Sequence, residues 1–329
     1  MTENEPLPVF ITDILQNPIP QYLLGVLPAI LILGDSPFLT SLSKTLHVFI
    51  CLGCPFAGLF YFLNINTNLN QNDVNIDSCA YWLPADRFYG GRWPFGFHAR
   101  RINCNSDIRN ILERCISVIS TLDRCACLIS LYFITIGIIV GIIRAIGPCY
   151  VQQDWPSIPL LLVWTFPALL VRLVQGKTVA RNPIDELQNV EETIDLQPVC
   201  IEAAQKIRAK VVMILVLSIA AHWLAVLITF YTRPIGFGCR SKYLTVISSI
   251  WTFNNIVCFI FYYLLDRPPP GIDTDNDYIH IWFQICGKLV ATFLIAFGVL
   301  SHDSSWWVSV FGNSCSISSC TEEGEQSML

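Results

Sequence analysis

Charge is what this sequence has least of. Of its 329 residues only 14% are Asp, Glu, Lys or Arg, against 53% hydrophobic, and mean hydropathy is +0.52. Soluble domains carry nearer a quarter charged residues, so the shortage excludes an ordinary soluble class. The net charge of −5 is small and dispersed, which leaves nucleic acid without a basic footprint to bind. No Lys or Arg lies in Met1–Asn17, ahead of the first apolar run, so a cleaved signal peptide is not expected. Asn-x-Ser/Thr sequons are missing as well. So are the Gly-x-x-x-x-Gly-Lys-Ser/Thr phosphate loop, the His-x-x-x-His pair and the Gly-x-Ser-x-Gly elbow, so no catalytic residue is nominated.

Apolar runs are what the sequence has in abundance. Val211–Tyr231 and Leu244–Leu265 each have about the 20 residues an α-helix needs to cross a hydrocarbon core of roughly 30 Å. The turn between them is too short to join anything but antiparallel neighbours. Pro234, Gly236 and Gly238 break helix there, and Arg233, Arg240 and Lys242 suit the headgroup region. Further spans are expected at Leu46–Leu63, Cys125–Ile143, Ile158–Val174 and Ile279–Leu300. Gly53, Cys54 and Pro55 sit mid-span in the first of these, and Pro167 should kink the third. Tyr22–Leu33, at 1.5 Å per residue, reaches only about 18 Å, so it either crosses a thinned bilayer with help from its flanks or is re-entrant. The expected fold is an all-α polytopic integral membrane bundle over residues 19–300, with seven transmembrane helices, or six if the first is re-entrant.

Between the spans lie two large polar loops, 64–124 and 175–210, and the bundle is flanked by an N-terminal tail, 1–18, and a Ser-rich acidic tail, 301–329, expected to be disordered. The first loop opens Asn-rich and continues with aromatic residues (Tyr81 to Phe97) among Arg87, Arg92, Arg100 and Arg101. Beside so many spans, that mixture reads as a membrane-surface segment rather than a nucleic-acid platform. From Asp107, apolar residues recur at helical spacing, predicting one helix over Asp107–Arg124 continuous with Cys125–Ile143. Gly137 and Gly141 form a small-xxx-small pair suited to close helix approach. After Pro198 the pattern again turns helical and runs into Val211–Tyr231.

With both large loops in the cytosol, fourteen Lys and Arg lie inside against five outside, which by the positive-inside rule orients the chain. Cysteines number fourteen, yet Cys51, Cys54, Cys258 and Cys286 fall inside apolar runs, where they act as small apolar residues. Cys51-Leu-Gly-Cys54 is a lone Cys-x-x-Cys inside a span, read as packing rather than redox or metal chemistry, so no metal is expected.

Polar residues inside spans are candidate functional groups because the bilayer penalises them. His222, Asn254, Asn255, Gln284 and Lys288 form that set, read as an intramembrane polar cluster. Helical spacing puts Gln284 and Lys288 on one stripe, expected to face inward beside Leu244–Leu265 with Trp282 facing elsewhere. Gln284 stands where a retinal protein would need a carboxylate one turn before its lysine, so no cofactor is expected.

Leu23-Leu-Gly-Val-Leu-Pro-Ala-Ile-Leu31, followed by Leu52-Gly-Cys-Pro55, and Pro234-Ile-Gly-Phe-Gly-Cys-Arg-Ser-Lys-Tyr-Leu244 resemble a family of uncharacterised fungal multispanning membrane proteins. The resemblance implies that Tyr22–Leu33 spans and implies nothing about activity. Two functions remain open: a small-solute transporter or sensor using the polar cluster, or a receptor or scaffold whose cytosolic loops bind protein partners. In the second, the polar residues are packing glue.

Overall fold

A computed structural model describes residues 25–34, 41–66, 100–102, 110, 114–146, 158–179, 196–198, 201–231, 237, 239–265 and 278–300. The expectations for both tails, for the Asn-rich stretch beyond Asn66, for the aromatic and arginine segment before Arg100 and for half of the 232–243 turn lie outside these residues. The described chain is overwhelmingly helical. Its elements are α1 (Leu27–Gly34), α2 (Ser41–Gly53), α3 (Pro55–Asn66), β1 (Arg100–Ile102), β2 (Ile116–Val118), α4 (Thr121–Ile146), α5 (Ile158–Leu161), α6 (Phe166–Gln175), β3 (Lys177–Val179), β4 (Leu196–Pro198), α7 (Ile201–Tyr231), α8 (Cys239–Phe259) and α9 (Tyr278–Leu300). Among the described residues, three helical stretches are long and apolar enough to cross a membrane: Thr121–Ile143, Arg208–Tyr231 and Tyr278–Ile295.

α7 runs unbroken from Ile201 to Tyr231, as the pattern after Pro198 predicts. It pairs with α8 along its length. Ser248 bonds the carbonyl of His222 and Trp223 bonds Thr252, while Asn255, further along α8, bonds Ser218, further back on α7, so the two run antiparallel. The two helices form the antiparallel hairpin expected from the short turn. α8 ends in a wide π turn, Ile260–Leu264, closed by Leu265 N–H donating to the Ile260 carbonyl at 3.1 Å.

Between Asp107 and Val174 two sequence expectations fail. The predicted helix from Asp107 through Arg124 is interrupted, because Ile116–Val118 is a strand paired antiparallel with Lys177–Val179. Ile116, Val118 and Val179 are β-branched and favour extended backbone. Ser120 then starts α4 afresh: its hydroxyl accepts the N–H of Asp123 at 3.1 Å, an N-cap with an acid in the first turn. Ile119 N–H donates to the carbonyl of Gly176, whose φ of 62° ends α6 in the left-handed conformation glycine tolerates. Likewise Ile158–Val174 is not one helix kinked at Pro167. It divides into α5, a 3-10 turn at Val163–Thr165, and α6, which has proline in its first turn, where a missing N–H costs nothing.

β1 also pairs antiparallel with β4. Both ladders therefore tie segments of the 64–124 loop to segments of the 175–210 loop, the two loops that the charge distribution assigns to one side.

The core lies where α2, α3, α7 and α8 meet around Trp251, which is fully buried. Trp164 stacks edge-on against it at 6.0 Å, and Phe56 packs on Phe60 at 5.6 Å and Phe259 at 6.2 Å. Gly141 bears on Leu160 and Ile228, so that half of the small-xxx-small pair does face other helices.

Candidate functional site

Leu46–Leu63 is not one continuous span. The helix stops at Gly53 and restarts at Pro55, with Cys54 between. Proline has no N–H to return to the preceding turn, and its ring disturbs the carbonyls behind it. The axis still continues, since Cys54 N–H donates to the Ile50 carbonyl at 2.8 Å and Gly58 N–H to the Cys54 carbonyl at 3.3 Å. In an unbroken helix the Leu52 carbonyl would take the N–H of Phe56. Here both groups are bonded by side chains of α8 instead.

Trp251 Nε1 donates to the Leu52 carbonyl at 2.7 Å, and Asn254 Nδ2 donates to the Gly53 carbonyl at 2.8 Å. Phe56 N–H donates to Asn255 Oδ1 at 3.0 Å, and the Cys54 thiol lies 3.6 Å from that oxygen and from the Asn254 carbonyl. Each amide is also held from behind. Asn254 Oδ1 accepts Trp282 Nε1 at 3.0 Å, while Asn255 Nδ2 donates to Ser218 Oγ at 3.2 Å, which donates on to the Leu215 carbonyl at 2.8 Å. Trp251, Asn254, Asn255 and Ser218 are all fully buried. Four segments (the broken helix, α7, α8 and α9) thus share one polar junction. Away from water, any of these groups left unpaired costs about 1–3 kcal/mol.

α9 meets α2 just beside the break. Gly53 and Gly287 face each other, so close that a methyl on Gly287 would meet the Phe49 carbonyl, its carbon at 2.6 Å, and one on Gly53 would lie 2.8 Å from Gly287 N. Only glycine on both helices permits this crossing. His280, Phe283, Cys286, Gly287, Val290 and Leu294 make the buried stripe of α9. Nearby on α2, the Cys51 thiol contacts His47 Nε2 at 3.5 Å, both residues buried.

The five residues singled out in the sequence divide. Asn254 and Asn255 form the junction itself. His222 is buried on α7 next to it, its ring 5.7 Å from Trp251 and 6.4 Å from Trp223. Gln284 is half-buried, and Lys288 is exposed, next in sequence to Gly287 but turned away from its contact with α2. The expected inward stripe of Gln284 and Lys288 is therefore wrong, and Trp282 rather than Lys288 reaches Asn254. The glycine crossing sets the rotation of α9, and a residue next to Gly287 is turned about 100° away from α2. α9 does touch α8, through Trp282 and through Tyr243 edge-on to Phe293 at 6.2 Å.

Sequence reasoning missed Trp251, Ser218, Trp282 and the glycine pair. One signal was available: proline in the middle of an apolar run leaves a backbone carbonyl in need of a donor, and only a neighbouring helix can supply it. Among the described residues no three His, Cys, Asp or Glu side chains converge as metal ligands, and Cys51, Cys54, Cys258 and Cys286 are free thiols. No family model, curated protein or solved structure matches the chain.

Proposed function

We propose that this chain is a multipass membrane protein of seven spans, related to the fungal family it resembles, that transports or senses a small solute. Its moving part is the broken helix α2–α3. The observation that carries the reading is the exchange at the break: backbone groups that would bond within one helix are held by Trp251, Asn254 and Asn255 of another. Interrupted helices near the membrane midplane are where transporters expose backbone to their cargo. Side-chain clamps can release and re-form as the halves of a broken helix tilt, whereas an unbroken helical ladder cannot.

The test is purified protein in proteoliposomes, with osmotic reswelling followed after addition of formamide, urea or glycerol. Reswelling faster than in protein-free vesicles, and abolished in Asn255→Leu that still elutes as a folded species, supports transport. A ligand-induced rise in melting temperature without reswelling supports sensing. Neither response with any of the three solutes would sink the proposal.

A second reading has its own observation. Both amides are held at either end: each oxygen and nitrogen of Asn254 and Asn255 has a partner. That is what packing glue requires in a receptor or scaffold whose paired loops bind proteins. On that reading Asn255→Leu lowers stability and leaves solute responses absent in parent and variant alike.

A further inference from the structure

Among the buried polar groups around the junction, one stands apart. His222 is fully buried on α7, and neither ring nitrogen has a hydrogen-bond partner among the described residues. Its backbone is fixed, since the His222 carbonyl accepts Ser248 Oγ at 3.4 Å. Its ring leans on Trp251, the indole that holds the Leu52 carbonyl at the break. Trp164 leans on the same indole, and its own Nε1 is likewise buried without a partner. Buried donors and acceptors are almost always satisfied in folded proteins, so a histidine and a tryptophan left open around one shared indole are an unusual pair.

We propose that His222 is the contact residue of a binding site for a small neutral solute bearing both a hydrogen-bond donor and an acceptor, with Trp251 as the floor of the site and Trp164 beside it. This rests on the transporter or sensor reading and supplies its ligand class. The chemistry follows from the groups present. A neutral imidazole offers one donor and one acceptor, and an indole offers a donor only. A metal cation would leave the indole N–H unmet. A carboxylate would satisfy donors and bring a charge that no cation in the surrounding stretches Val211–Tyr231 and Leu244–Leu265 could neutralise. A primary amide or small alcohol meets both needs. The site is also wired to the hinge, because a molecule bonded to His222 presses on Trp251, and Trp251 holds the Leu52 carbonyl.

The experiment is imidazole 15N NMR on the full chain in lipid nanodiscs, labelled at histidine, of which there are five. Formamide is the probe, with acetate as the charged control. The expected result is a saturable shift of one pair of ring signals with formamide and none with acetate. That pair is assigned by its loss in His222→Phe, or in His222→Gln if the first variant fails to fold. Ring signals already at hydrogen-bonded positions in buffer and unmoved by formamide would mean ordered water only and would overturn the site. A shift confined to other histidines would overturn it as well. If reswelling persists while His222 stays silent, the ligand site fails and the transport reading survives. If His222 responds and no reswelling occurs, the site stands in a sensor.

Discussion

Replacing Gly287 by alanine is the sharpest probe of the architecture, because it adds one carbon at the closest approach of two helices. The methyl would sit 2.6 Å from the Phe49 carbonyl carbon, nearer still to its oxygen, and 3.0 Å from Gly53 N. Those are backbone atoms of a packed helix and cannot rotate aside. Ordinary carbon–oxygen contacts lie near 3.3–3.6 Å, so α9 and α2 must part by about 1 Å or more. Overpacking of this kind costs about 1–3 kcal/mol, and alanine recovers up to about 1 kcal/mol through better helix propensity. Separation also lengthens the Trp282–Asn254 bond behind the Gly53 clamp, a further loss of about 1 kcal/mol. The net expectation is about 1–3 kcal/mol of destabilisation. Gly141→Ala is the matched control. Its methyl would meet side-chain atoms of Ile228 and Leu160, at 2.9 and 3.0 Å, rather than backbone, so its net effect should be smaller, about 1 kcal/mol. Heating each variant in detergent and measuring the surviving monodisperse fraction by size-exclusion chromatography gives the comparison. Gly287→Ala should melt several degrees below the parent and Gly141→Ala close to it. Equal melting temperatures for all three would refute the glycine crossing.

Four other outcomes are expected. Trp251→Phe keeps most of the ring but leaves the Leu52 carbonyl without its donor, so it should cost about 1–3 kcal/mol in the same assay; coupling with Asn255→Leu should be non-additive because both hold one break. Ser120→Ala removes the N-cap of α4 and should cost about 1 kcal/mol, read as faster amide exchange at Asp123 and Arg124; unchanged exchange would count against the interrupted helix. Lys288→Met should change melting by less than about 0.5 kcal/mol and leave solute responses intact, since Lys288 is exposed and outside the junction; loss of response would reinstate it as a site residue. Cysteines placed at Arg92 and Lys242 should label from opposite sides of the membrane, and labelling from one side would overturn the proposed orientation.

What the sequence determined by itself was the helical class, with apolar helices long enough to span, and the residues under constraint. Charge depletion and long apolar runs demand helices, since a chain in lipid must satisfy its backbone internally. Asn254, Asn255 and His222 were conspicuous for the same reason, as polar groups where polarity is costly. The antiparallel hairpin of α7 and α8 followed from the short turn. Local pattern failed where long-range pairing intervened. Ile116–Val118 fits a helical stripe as well as it fits a strand, and only pairing with Lys177–Val179 decides between them. The rotation of α9 was equally hidden. A stripe argument weighs the cost of exposing Lys288, but the face that turns inward is set by which backbone can come closest, and Gly287 against Gly53 settles that. Pro55 stands mid-run, yet the apolar pattern predicts one span across it, and the structure breaks the helix at Cys54. That Trp251, Asn254 and Asn255 bridge it from about 200 residues away is a property of the packed bundle alone, because hydrogen-bond partners across helices leave no spacing in the chain.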